Sequence, residues 1–100
     1  MDIVRVANGK VELRRVNGTL IRTIGNGDAV SAFFNANQTL VVITTNKGKV
    51  EIRKDNGTLV RILVNGDATN AYWSGNEIVI QTNKGKTEIR KDNGTLIKIM

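Results

Sequence analysis

The sequence contains no cysteine, no histidine and no proline among its 100 residues, and only 4% of its residues are aromatic. The absence of cysteine excludes disulfides and thiol nucleophiles, and the absence of histidine as well excludes the usual zinc sites and imidazole acid–base catalysis. No apolar run approaches the ~20 residues that a membrane-spanning helix needs. We therefore expect a protein without enzyme activity, cofactor or metal, located in the cytoplasm and not in a membrane.

An internal repeat is the most informative feature of the sequence. The motif Asn-Gly-Thr-Leu occurs at Asn17–Leu20, Asn56–Leu59 and Asn93–Leu96, with offsets of 39 and 37 residues. The two-residue difference falls where Phe33–Thr39 corresponds to the shorter Tyr72–Asn76. The chain is therefore predicted to be a single repeat domain with three units: residues 1–27, 28–65 and 66–100.

Each unit has the pattern of antiparallel β-structure. Lys49–Lys54 alternates polar and apolar residues, which is the period of a half-buried strand. Asn56-Gly57 follows, and Asn-Gly between two such runs is the strongest short-range signal for a hairpin. With the strands of a full unit labelled A to D, the sequence predicts BCD, ABCD, ABCD, so the first unit lacks strand A. The predicted strands lie at about 2–6, 10–15, 20–24, 29–34, 40–45, 49–54, 59–64, 68–73, 77–82, 86–91 and 96–100.

Four-stranded units of about 40 residues are typical of β-propeller blades, and the order of residues resembles the WD40 family. Gly27–Phe34 resembles the loop and A strand of a WD40 blade, Gly48–Arg53 the turn and C strand, and Asn56–Leu63 the turn and D strand. The Gly-His and Trp-Asp dipeptides of that family are absent, so its histidine-centred network cannot form. The resemblance implies a WD40-like propeller fragment. Asp28 and Asp67 are expected to do part of the work of that network by bonding loop amides.

A β-trefoil is the alternative fold, because it also has three units of about four strands and would close as a monomer. The three-stranded first unit would break its pseudo-threefold barrel, which favours the propeller. Propellers have about four to eight blades, and an open arc would leave two apolar sheet faces exposed. Two chains supply enough strands for six sheets, two of them one strand short. We therefore expect a homodimer that closes a six-bladed ring.

The basic charge follows the repeat. The chain has 15 Lys and Arg against 9 Asp and Glu, a formal net charge of +6. The cations recur in four columns: Lys10/Lys49/Lys86, Arg14/Arg53/Arg90, Arg15/Lys54/Lys91 and Arg22/Arg61/Lys98. We interpret these columns mainly as solvated strand surfaces that discourage edge-to-edge pairing. Nucleic-acid binding is the alternative, but the aromatic residues that stack on single-stranded bases are too few, so nucleic acid is not the expected partner.

The aromatic residues occupy homologous positions at the ends of two A strands, Phe33-Phe34 and Tyr72-Trp73. One interpretation is packing between blades. The other is a shallow site where a ring stacks on a sugar or a peptide side chain, with neighbouring polar residues supplying hydrogen bonds. The candidate contacts are Tyr72, Trp73, Phe34, Asn35, Ser74 and Asn76. The sequence therefore leaves open a propeller scaffold that binds a macromolecular partner, a lectin-like carbohydrate binder, and a basic nucleic-acid binder.

Overall fold

Strands and tight turns make up the whole fold in the computed structural model, which describes residues 2–100. In chain order the strands are β1 (Asp2–Ala7), β2 (Lys10–Arg15), β3 (Leu20–Ile24), β4 (Ala29–Phe34), β5 (Leu40–Thr45), β6 (Val50–Lys54), β7 (Leu59–Val64), β8 (Ala68–Ser74), β9 (Glu77–Thr82), β10 (Thr87–Lys91) and β11 (Leu96–Ile99). The described chain includes no helix with the length and apolarity needed to cross a membrane.

The strands form three antiparallel sheets, one for each repeat unit. Sheet I contains β1 to β3, sheet II contains β4 to β7, and sheet III contains β8 to β11, with the strands of each sheet in chain order. Short turns join consecutive strands, so each strand pairs with its sequence neighbour. The predicted all-β arrangement of three, four and four strands is confirmed. A β-trefoil barrel would require strands of different units to pair, and in residues 2–100 every ladder lies within one unit, so this alternative is wrong.

The asparagine of each Asn-Gly-Thr motif closes the turn before the last strand of its sheet. Its Oδ1 accepts a hydrogen bond from the backbone N–H of the threonine two residues later, at 3.0 Å in all three sheets. The glycine between them has a φ of 94° to 96°, which only glycine adopts without strain. The three turns are centred on Asn17-Gly18, Asn56-Gly57 and Asn93-Gly94. The repeated motif is therefore a repeated turn.

The sheets stack face to face, and the two interfaces between them are the two hydrophobic cores. The core between sheets I and II consists of Val11, Leu13, Ile24, Ala29, Ala32, Val41 and Ile43. The core between sheets II and III consists of Val42, Val50, Ile52, Leu63, Ala68, Ala71, Ile78 and Ile80. Sheet II is covered on both faces, and successive residues of a strand point to opposite faces. This explains the unbroken apolar run at Leu40–Ile43.

Backbone hydrogen bonds join consecutive sheets at the start of each four-stranded unit. The Ala29 N–H donates to the Gly9 carbonyl at 2.9 Å, and the Ala68 N–H donates to the Gly48 carbonyl at 3.1 Å. The approach is close enough that a Cβ added at Gly48 would lie 2.5 Å from the Asp67 nitrogen. Glycine is required here both by this contact and by a φ of 81°.

Gly48→Ala should destabilise the protein more than Gly85→Ala. Gly85 is the corresponding turn glycine of sheet III and has a similar φ of 79°, but nothing lies within 4 Å of an added Cβ. Both variants carry the left-handed backbone strain, and only Gly48→Ala also forces sheet III away from the turn. We expect its free energy of unfolding to fall by about 1–3 kcal/mol more, measured by urea denaturation. Equal losses would show that the contact between the sheets is not stabilising.

Candidate functional site

The aromatic side chains divide between the cores and the surface. Phe34 packs against the core between sheets I and II, and Trp73 packs against the core between sheets II and III. The Trp73 Nε1–H donates a hydrogen bond to the Phe33 carbonyl at 3.1 Å. Phe33 and Tyr72, one position earlier in each strand, are 42% and 37% exposed. The structure therefore places Phe34 and Trp73 in packing positions and leaves Phe33 and Tyr72 accessible to a ligand.

The polar residues of the candidate ligand site have different local surroundings. The Asn35 Oδ1 accepts hydrogen bonds from the backbone N–H groups of Thr39 and Leu40, both at 3.0 Å, so this side chain holds its own loop. Ser74 and Asn76 are exposed where β8 turns into β9. Residues 2–100 enclose no pocket and no cluster of three metal-binding side chains.

The two aspartates of the Asn-Gly-Asp-Ala motifs do not cap their loops with their carboxylates. Among the hydrogen bonds of residues 2–100, the backbone carbonyl of Asp28 accepts the Asn46 N–H and that of Asp67 accepts the Asn83 N–H, both at 2.8 Å. The Asp67 carboxylate instead lies 3.5 Å from the Lys84 ammonium, and both side chains are exposed. The expectation that these carboxylates bond loop amides is therefore wrong, because the backbone already supplies the acceptors.

A glutamate, an arginine and a turn glycine form the same hydrogen-bonded network in every sheet. The arginine Nε donates to the glutamate two residues earlier at 2.9–3.0 Å, and its Nη1 donates to the glycine carbonyl four residues later at 2.6–2.9 Å. The three sets are Glu12/Arg14/Gly18, Glu51/Arg53/Gly57 and Glu88/Arg90/Gly94. In sheet I, the hydrogen bond from Arg14 is the largest cause that lowers the pKa of Glu12.

These arginines are not the solvated decoration that the charge columns suggest. Glu51 and Arg53 pair across the ladder with Ile43 and Val41, which puts them on the face of sheet II that packs against sheet I. Their side chains are only 4% and 13% exposed. The interpretation as solvent-facing is therefore wrong for Arg53, whose guanidinium donates hydrogen bonds to a carboxylate and to a turn carbonyl inside the stack.

The stack ends in two open faces, one on sheet I and one on sheet III. On sheet III, Met100 is 66% exposed, whereas the corresponding Leu63 and Ile24 of the other units are 8% and 5% exposed. On sheet I, Ile3 is 40% exposed, whereas the corresponding Val41 of sheet II is fully buried. The same columns that form the cores inside the stack therefore face outward at its two ends.

Gln38 has a structural role that the sequence pattern did not indicate. Its Oε1 accepts the Asp2 N–H at 3.3 Å, and its Nε2 donates to the Asp2 carbonyl at 2.8 Å. The carboxamide thus pairs with the backbone of β1 as a neighbouring strand would, at the edge where strand A is missing. Gln38 lies in the β4–β5 loop, which is two residues longer than the β8–β9 loop of sheet III. This difference in length is the feature of the sequence that points to a special role for the loop.

No protein-family model and no curated protein matches this sequence.

Arg53→Met should destabilise the protein strongly, and Arg90→Met is the matched control. Both variants remove the same two hydrogen bonds, but Arg53→Met leaves the Glu51 carboxylate buried without its partner, whereas the Glu88 side chain is 17% exposed. Breaking a buried ion pair typically costs about 3–5 kcal/mol. We expect a loss of that order for Arg53→Met and a smaller loss for Arg90→Met, measured by urea denaturation. A larger loss for Arg90→Met would contradict this account.

Proposed function

We propose that this chain is a non-catalytic, WD40-like propeller-type binding or scaffold protein, and that two copies close into a ring of six sheets. The observation that carries the proposal is the pair of open faces at the ends of the stack. The column Ile24/Leu63/Met100 is buried wherever another sheet follows and exposed only on sheet III. A second chain can cover this face with its own sheet I, because sheet I has the same position in the repeat as the sheets that cover the cores.

The relative placement of the sheets also favours a ring. Sheets II and III contact each other mainly where β8, the first strand of sheet III, meets β4 and β5, the first two strands of sheet II. The sheets therefore converge at their A strands, as blades do around a propeller axis. Three chains would supply more sheets than the usual range allows, whereas two chains give six.

The mass in solution tests this proposal. We expect a single species of twice the 11.0 kDa chain mass in multi-angle light scattering at micromolar concentration, because two open apolar faces favour association of the free chain. Native mass spectrometry should give the same stoichiometry. A folded monomer, or an open polymer whose size grows with concentration, would contradict the closed ring.

A lectin-like function is a second candidate, and the exposure of Phe33 favours it. Sheet III covers the face of sheet II on which Phe33 lies, yet Phe33 remains 42% exposed. The corresponding Tyr72 should then also stay accessible in a closed ring. The closed six-sheet assembly would present Phe33 and Tyr72 near the ends of successive A strands. Exposed aromatic side chains there can stack on sugars.

A glycan array separates this candidate from the scaffold function. If these aromatic side chains bind sugars, Phe33→Ala and Tyr72→Ala should each weaken any hit, because each removes a stacking surface. Folding and dimer mass should stay unchanged. Val30→Ala is the control, since Val30 is an exposed apolar residue on the same strand as Phe33. An array without a hit in folded, dimeric protein would exclude the lectin-like function and leave the scaffold proposal standing.

A further inference from the structure

The two open faces differ from the buried faces at a few positions, and these differences are complementary. A column is a set of equivalent positions in the three sheets, and strand register identifies it. Residues that lie opposite repeat-related partners in their ladders belong to one column. Arg5 pairs with Glu12, as Ile43 pairs with Glu51 and Ile80 pairs with Glu88. Arg5 of sheet I therefore occupies the column that holds isoleucine in sheets II and III. The turn before β2 is one residue shorter than the turns before β6 and β10. Aligning the units by a constant offset of 39 residues therefore does not match Arg5 with Ile43.

The face of sheet III that points away from sheet II also has polar residues where the other sheets have mainly apolar ones. Thr87 occupies the column of Val11 and Val50, which are both fully buried in the cores. Its ladder neighbour Gln81 occupies the column of Val6 and Thr44. Each open face thus departs from the repeat, and it does so toward groups that form hydrogen bonds.

The cores show which columns meet. Ile43 of sheet II and Val11 of sheet I belong to one core, and a Cβ added at Gly25 would lie 3.7 Å from Ile43 Cδ1 and 3.9 Å from Val11 Cγ2. Ile80 of sheet III and Val50 of sheet II likewise belong to one core, the core between sheets II and III. If sheet I of a second copy packed on the outer face of sheet III, it would present Arg5 where sheets II and III have an isoleucine. Sheet III would present Thr87 where sheets I and II have a valine.

We propose that the outer face of sheet III packs on the outer face of sheet I of a second copy of this chain, and that Arg5 of one copy hydrogen-bonds Gln81 and Thr87 of the other. The inference rests on the proposed ring and identifies the contact that selects its partner. The guanidinium offers five N–H donors, and the carboxamide and hydroxyl oxygens accept. Glu12 Oε1 lies 3.5 Å from Arg5 Nε and 2.9 Å from Arg14 Nε, so one carboxylate partly balances both guanidiniums on this face, and the polar groups of sheet III would supply Arg5 with further acceptors.

The contact gives the association its specificity. Inside the chain, an isoleucine and a valine share a core at this position. The other open face in the described chain is that of sheet I, and two sheets I packed together would bring Arg5 and Arg14 of one copy against the same cations of the other. A polar pair that is satisfied in only one arrangement disfavours the alternatives. Ile3 and Met100, exposed at 40% and 66%, would be covered in the same interface and contribute apolar burial to its stability.

A charge exchange across the interface tests the contact. Arg5→Glu places a carboxylate beside Glu12 and opposite Gln81, and it should raise the dimer dissociation constant by at least about tenfold. Gln81→Lys alone places an ammonium opposite Arg5 and should weaken the dimer as well. The double variant Arg5→Glu/Gln81→Lys should restore the dissociation constant to within about threefold of the unchanged protein. Sedimentation equilibrium over a dilution series measures all four constants.

Lys47→Glu is the matched control, because it makes the same change of charge on an exposed turn of sheet II, away from both outer faces, and it should leave the dimer unchanged. Circular dichroism confirms that each variant is folded.

Two outcomes in a dimeric protein would overturn the Arg5 contact and leave the ring standing. In the first, Arg5→Glu has no larger effect on the dissociation constant than Lys47→Glu. In the second, the double variant binds no more tightly than the single variants. If the unchanged protein is a folded monomer, both the ring and the contact are overturned.

Discussion

Each sheet of this protein has two faces, and the need to cover both with another sheet governs the rest of the structure. The effect is clearest in β5, where Val41 and Ile43 point into one core and Val42 points into the other. A chain of three sheets can satisfy this requirement only for the middle one. The end sheets each bury one face and expose the other, and the burial of apolar surface is the dominant favourable contribution to association as it is to folding. The proposed ring would cover the two faces that remain open.

Local polar networks keep each sheet in a shape that can stack. The arginine of strand C in each unit joins a glutamate on its own strand to the carbonyl of the next turn, and the asparagine of that turn accepts a backbone N–H. These hydrogen bonds lie within one sheet, so they fix the turn relative to the strand without a partner from a second sheet. The network recurs without change in all three units, including Glu51 and Arg53, which the stack buries. It therefore allows charged side chains to lie beside an apolar core without an unpaired charge.

The departures from the repeat are concentrated at the open boundaries of the stack. Gln38 fills part of the vacant strand position beside Asp2, Arg5 replaces an isoleucine on the outer face of sheet I, and Thr87 replaces a valine on the outer face of sheet III. Gln38 belongs to sheet II but bonds the edge of sheet I, whereas the buried faces of sheet II have an isoleucine and a valine at the positions of Arg5 and Thr87. At a boundary, polar groups limit unspecific pairing of an exposed edge or face. The positions that depart from the repeat thus lie at the open edge and the two open faces of the stack.

The sequence by itself determined the strands, the turns and the number of sheets. Period-2 alternation and Asn-Gly pairs are local signals, and antiparallel strands joined by short turns need no distant partner to find their register. The local pattern was insufficient to define the candidate site. It indicated Phe34 and Trp73 together with Tyr72, although the stacking of the sheets partly buries Phe34 and Trp73 and leaves Phe33 and Tyr72 exposed. It also suggested that Arg53 is solvated and that the Asp28 carboxylate caps its loop. Only the tertiary structure decided these cases, because the burial of a side chain depends on which sheet lies across from it, and residues far apart in the chain supply that sheet.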